Sequence, residues 1–135
     1  MLVGDFDLPV LSQSVTIPLG DASSGSFTLG GTFLVGFVPP TAWTAATLSL
    51  QASFDAGATW LDVASNTGGI LTLSSNAGIP TSLYFIPGSF GGAVTGVPVP
   101  APLFRLRSQT AGVDVVQAAA RTFTLLSLPS VFRRP

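Results

Sequence analysis

Residues 47–54 alternate strictly. Leu48, Leu50, Ala52 and Phe54 fall on one side of an extended chain, and Thr47, Ser49, Gln51 and Ser53 fall on the other. A period of two is the pattern of a β-strand with one face in a core and one face toward water. Similar short runs, rich in Thr, Val, Leu and Phe and broken by Gly, Pro, Asn and Ser clusters, recur along the chain. They predict strands over residues 13–18, 27–29, 32–38, 69–73, 82–86, 103–107, 113–117 and 121–127, with 59–63 pairing back onto 47–54. The pair 27–29 and 32–38 flanks a turn at Gly30-Gly31. Helix signals are confined to residues 41–46, which follow Pro39-Pro40, and to 117–120, which reads as a short helix or a turn.

Short strands at regular spacing predict an all-β chain folded as a single antiparallel β-sandwich or jelly-roll-like domain. Residues 87–102 hold prolines at 87, 98, 100 and 102 and glycines at 88, 91, 92 and 96, and read as a long Gly/Pro-rich loop. The expected organisation is an N-terminal arm over 1–12, a β-sandwich over 13–127 and a C-terminal tail over 128–135.

The charge inventory narrows the function. Five residues are cationic, all Arg, and six are anionic, all Asp, so charged residues make up 8% of the chain. An average soluble domain carries roughly 25%. A surface so poor in charge is weakly protected against association, and the expectation is an exterior buried against other subunits. The net charge of −1 creates no field that would draw the chain to nucleic acid or to an anionic membrane. The longest apolar stretch, residues 33–40, is far short of the ~20 residues that a membrane-spanning helix needs. The opening MLVGDFDLP lacks a cationic leader, so the expected route is synthesis in a host cytoplasm without a signal peptide.

Missing residue types exclude most chemistry. Without His and Cys there are no common ligands for zinc, copper or haem, and no Ser-His-Asp or Cys-His nucleophile. Without Lys there is no Schiff base. Asp55 and Asp62 are the only close carboxylate pair of the central region, and Asp5 and Asp7 the only candidate calcium ligands near the start. The first pair reads better as part of a structural turn and the second as solvated. The expectation is a non-enzymatic protein with no catalytic residue, no cofactor and no metal.

Residues 53–60, Ser-Phe-Asp-Ala-Gly-Ala-Thr-Trp, match the Asp-box pattern Ser-x-Asp-x-Gly-x-Thr-Trp at every defined position. Ser53, Asp55, Gly57, Thr59 and Trp60 therefore form the expected structural hairpin. Asp55 accepts from turn amides, Gly57 supplies a positive φ, and Trp60 anchors the returning strand in the core. A sugar-binding role for the hairpin is the functional alternative, with Trp43, Tyr84 and Phe90 as further aromatic candidates. Arg105 and Arg107 alternate with Phe104 and Leu106 and share one strand face. They read as a solvated face with cross-strand ion pairs or as a subunit contact through the guanidinium fork.

Three stretches resemble a family of small virion structural proteins of tailed bacteriophages and prophages. The first is Gly36-Phe-Val-Pro-Pro-Thr-Ala-Trp-Thr-Ala-Ala46, similar to the family's G-x-x-x-P-x-x-W-x-x-A. The second is Leu50 to Val63, similar to Q-x-S-x-D-G-x-x-x-W-x-D-V. The third is Phe104-Arg-Leu-Arg-Ser-Gln-Thr110 with residues 115–125, similar to L-R-L-R-S-G-T … V-x-Q-x-A-x-R-x-x-T-L. Ala56 and Gln109 stand where the pattern has Gly, and Phe104 where it has Leu.

The resemblance implies a virion component. The expected function is a capsid decoration or cement protein that forms a homo-oligomer and clamps neighbouring subunits, with the major capsid protein or tail and neck proteins as partners. The alternative is a tail, neck or fibre component with a carbohydrate-binding face. Val97, Val99 and Leu103 of the loop region, with Val131 and Phe132 of the tail, are the expected apolar assembly contacts. Arg133 and Arg134 would lie at the polar rim, and Arg105 and Arg107 are the candidate contacts on the sheet.

Overall fold

The computed structural model describes residues 10–64, 68–73 and 102–129 in full, and the backbone of 81–87. The strands are β1 (Leu11–Ile17), β2 (Thr32–Val38), β3 (Thr47–Ser53), β4 (Leu61–Asp62), β5 (Thr72–Leu73), β6 (Thr81–Pro87), β7 (Leu103–Thr110), β8 (Val113–Asp114) and β9 (Arg121–Pro129). No helix occurs among the described residues. Residues 41–46 and 117–120, the two places with helix signals, are bends and irregular chain. Each is too short to recover the cost of nucleating a helix.

All pairings are antiparallel. One sheet has the order β1-β9-β2-β6; in the other, β4, β3, β7 and β8 lie side by side, with β5 also on β3. The β3–β7 pairing is continuous over seven residues, from Thr47↔Gln109 to Ser53↔Leu103. β4 and β5 lie in succession along the other edge of β3. A shift in register at Leu34/Gly36 marks a bulge in β2, which falls in its pairing with both β6 and β9. β1 starts at Leu11 and β9 continues to Pro129, so strand pairing includes Leu11 at one end and Leu128 and Pro129 at the other.

The inner faces of the two sheets share one apolar cluster. Val15, Ile17, Leu34, Phe37, Phe123 and Leu125 meet Leu48, Leu50, Ala52, Leu73, Phe104 and Leu106. Phe27 stacks on Phe104 with ring centroids 6.1 Å apart, and Trp43 stands edge-on to Phe123 at 5.3 Å. Trp43 is thus committed to the core margin.

The Gly30-Gly31 turn does not close a hairpin. Phe27 exchanges backbone hydrogen bonds with Phe104 of β7, whereas β2 lies in the opposite sheet. Residues 22–27 therefore cross between the sheets. Ser24 N donates to Leu106 O at 2.9 Å, Ser108 N to Ala22 O at 2.7 Å, and Gly25 N to Thr16 O of β1 at 3.3 Å. One of the two sheets curls as a half-barrel. The crossing segment satisfies β7 backbone groups that would otherwise form a bare edge.

The β7–β8 connection is a two-residue turn. Ala111 (φ 51°) and Gly112 (φ 84°) both take positive φ, as a type I′ hairpin requires. Gln109, buried, caps it by accepting from Gly112 N at 2.6 Å. An alanine is strained at φ 51°, whereas asparagine tolerates it. Ala111→Asn should therefore raise unfolding stability by about 0.5–1 kcal/mol. Phe104→Ala, which empties a fully buried site, should lower it by about 3–5 kcal/mol. Urea titrations of both variants measure the two shifts.

Candidate functional site

The Asp-box residues build a closed turn. Ser53, buried, donates through Oγ to Asp55 Oδ1 at 2.8 Å and accepts from Gly57 N at 2.8 Å. Asp55 Oδ1 also accepts from Thr59 N at 2.8 Å. These bonds hold the Asp55 carboxyl below its ordinary value, the Thr59 amide contributing most and the Ser53 hydroxyl next. Gly57 sits at φ 91°, where a side chain is strained. Ala56 is also left-handed, at φ 59°, at the position where the resemblance has glycine.

Trp60 departs from its expected place. It is only half-buried and packs outside the core, with the Arg105 guanidinium 4.5 Å from its ring centroid. Register explains this. Asp62 lies opposite Gln51 on the outer face, so Trp60, two residues earlier, points to the same face.

That outer face is also not the wet face expected of β3. Ser49, Gln51 and Ser53 are all buried. Arg105 and Arg107 stand opposite Gln51 and Ser49, and their long stems shield the neighbouring polar groups. Gln51 Nε2 donates to Asp62 Oδ1 at 3.0 Å, and Arg105 Nε donates to Gln51 Oε1 at 2.8 Å.

The two arginines, which share this face as expected, have different roles. Arg107 is saturated: Nε donates to Asp114 at 2.7 Å, Nη1 to Asp62 at 3.2 Å and Nη2 to Gly112 O at 2.8 Å. Its side chain is only 13% exposed, and the Asp114 hydrogen bond is the main cause of its raised pKa. Arg105 has Gln51 on Nε and Trp60 on its face, but no carboxylate among the described residues pairs with it. Burial pushes its pKa down, and the Asp114 charge pulls it partly back. Leu103, the other described candidate contact, is half-buried beside the hairpin, its Cδ1 lying 3.8 Å from where a Gly57 Cβ would stand.

Gln117 forms a second polar centre. Buried to 1% exposure, it accepts from Thr44 N at 2.9 Å and Arg121 Nε at 3.1 Å, and donates to Ser108 Oγ at 2.8 Å and Thr44 O at 3.2 Å. Its backbone binds Gly20 and Asp21. The sequence marks Gln117 and Arg121 only through the resemblance; nothing in their spacing discloses the partner Thr44. The structure thus joins the first and third resembling stretches through Gln117, and the second and third through β3–β7 pairing.

Asp55 and Asp62 belong to separate hydrogen-bond sets, the first inside its turn and the second with Gln51 and Arg107. Asp5, Asp7, Phe90, Val97, Val99, Val131, Phe132, Arg133 and Arg134 lie outside the described residues, as does the side chain of Tyr84. No family model, curated protein or solved structure matches this chain.

Two expectations follow. Ala56→Gly should stabilise the domain by about 0.5–1 kcal/mol, because relief of left-handed strain exceeds the extra unfolded-state entropy of glycine. The depressed Asp55 pKa gives stability that is present above the unfolded value of 3.8 and is lost as pH falls through the lower folded value. Urea midpoints measured from pH 6 down to pH 2 should show this loss in the wild type and a flatter profile in Asp55→Asn.

Proposed function

We propose that this protein is a structural component of a tailed-bacteriophage particle, a capsid decoration protein that joins neighbouring shell subunits and performs no catalysis. In this reading the two sheets form a β-sandwich of jelly-roll type. The observation that carries the proposal is how the surface is composed. In a chain with so few charges, the hairpin, the Arg107 network and the Gln117 centre already pair Asp55, Asp62, Asp114, Arg107 and Arg121 with neighbouring groups of the same chain. The exposed side chains also include Leu19 at 67% exposure, Val113 at 68% and Val116 at 58%. Leu19 precedes Gly20, whose amide binds the Gln117 carbonyl, so Leu19 and Val116 flank one hydrogen bond. Exposed apolar side chains of this size favour burial against another protein.

The residues of the three resembling stretches support the same reading through their roles, which are in turns, pairing and packing. The missing residue types leave little for catalysis. Such a protein acts through copy number and contact area.

Quantitative mass spectrometry of particles that contain the chain tests the placement. A shell protein should be present on the order of hundreds of copies per particle, whereas a tail or neck ring holds about a dozen or fewer by closed ring symmetry. The triple variant Leu19→Ser, Val113→Ser, Val116→Ser should fold, because all three side chains are exposed, and should be incorporated several-fold less. Full incorporation of the triple variant would remove this surface from the contact.

A further inference from the structure

We propose that the cleft in front of Arg105 binds an acidic saccharide, a sugar carrying one carboxylate among several hydroxyls. The cleft is shallow and open to solvent, has a volume of about 430 Å³ and is lined by Asp21, Ala22, Ser23, Ser24, Arg105 and Asp114. Its volume falls within the roughly 300–1,000 Å³ of small-molecule sites. Its lining differs from a drug-like pocket, since five of these six residues are polar or charged and Ala22 is small.

Arg105 is arranged as an anion receptor. Gln51 fixes Nε at 2.8 Å and Trp60 holds one face of the guanidinium. The orientation of the fork is therefore set before any ligand arrives, and its Nη donors meet no carboxylate among the described residues. Arg107, two residues along the same face, provides the contrast, because Asp62, Asp114 and Gly112 occupy all of its nitrogens. An oriented, partly desolvated guanidinium pairs best with a carboxylate, through two parallel hydrogen bonds.

The cleft walls define the rest of the ligand. Asp21 and Asp114 are acceptors whose charges oppose an anion, so the ligand's one carboxylate must sit on the Arg105 fork and the rest of the ligand must present donors. Ser24 is a fixed wall, because its hydroxyl donates to Gly25 O at 2.8 Å and accepts from Leu106 N at 2.9 Å. Ser23 remains half-buried beside it. One carboxylate site ringed by hydroxyl acceptors matches a uronic-acid sugar better than an apolar acid or an acidic peptide. This inference does not depend on the particle reading.

The test titrates the full chain with glucuronate- and galacturonate-containing disaccharides, their neutral glucose and galactose counterparts, and an oligoglutamate peptide. Trp fluorescence and amide chemical shifts follow binding. Acidic disaccharides should bind saturably and at least about tenfold tighter than neutral ones. Arg105→Gln should abolish binding, and Arg105→Lys, which keeps charge but loses the fork, should weaken it about tenfold. Asp21→Asn, at an exposed position, should weaken sugar binding several-fold, and it keeps the test decisive if the Arg105 variants unfold. The proposal is overturned by equal affinity for neutral sugars, by no saturable sugar binding, or by an unchanged Asp21→Asn variant. Binding of oligoglutamate alone, strengthened by Asp21→Asn, would also overturn it and assign the cleft to a protein carboxylate.

Discussion

The continuous pairing of β3 with β7 is the constraint on which the rest of the molecule depends. One face of this ribbon supplies Leu48, Leu50, Phe104 and Leu106 to the core. The other carries Gln51, Arg105 and Arg107. Because side chains alternate with a period of two, a slip of one residue would exchange the two sets, placing guanidinium groups in the core and phenylalanine in water. Burial and polar satisfaction thus select the same register.

Around that ribbon, buried serine and glutamine side chains carry much of the polar pairing beside the Arg107 salt bridges. Ser53, Gln51, Ser108, Gln109 and Gln117 are buried, and no buried side-chain nitrogen or oxygen among the described residues lacks a partner. Each neutral hydrogen bond adds only about 1 kcal/mol, but leaving one of these groups unpaired would cost about 1–3 kcal/mol. The network therefore acts more on specificity than on total stability. It permits one arrangement of turns and penalises the others.

Much of this was legible in the residues. The alternation over 47–53 and the apolar run of 32–38 mark β3 and β2, and the Ser53–Trp60 motif marks the hairpin turn. What escaped was long-range. Phe27 and Thr32 look like two halves of a hairpin, yet they join different sheets, because a turn sequence specifies a change of direction and not a pairing partner. Trp60 looks like a core residue by type, but strand parity with Asp62 sends it outward to Arg105. Gln117 looks like a helix former; its role depends on Thr44, 73 residues away.

The strand order of the first sheet also governs when the protein can fold. β9 lies between β1 and β2, although it is the last strand in chain order among those described. Neither β1 nor β2 finds this neighbour until β9 has left the ribosome. Val15, Ile17, Leu34 and Phe37 must wait for Phe123 and Leu125 until β9 emerges. Non-local pairing of this kind is slow and exposes the nascent chain to aggregation. A chain terminated before β9 lacks an inner strand of this sheet and cannot complete it.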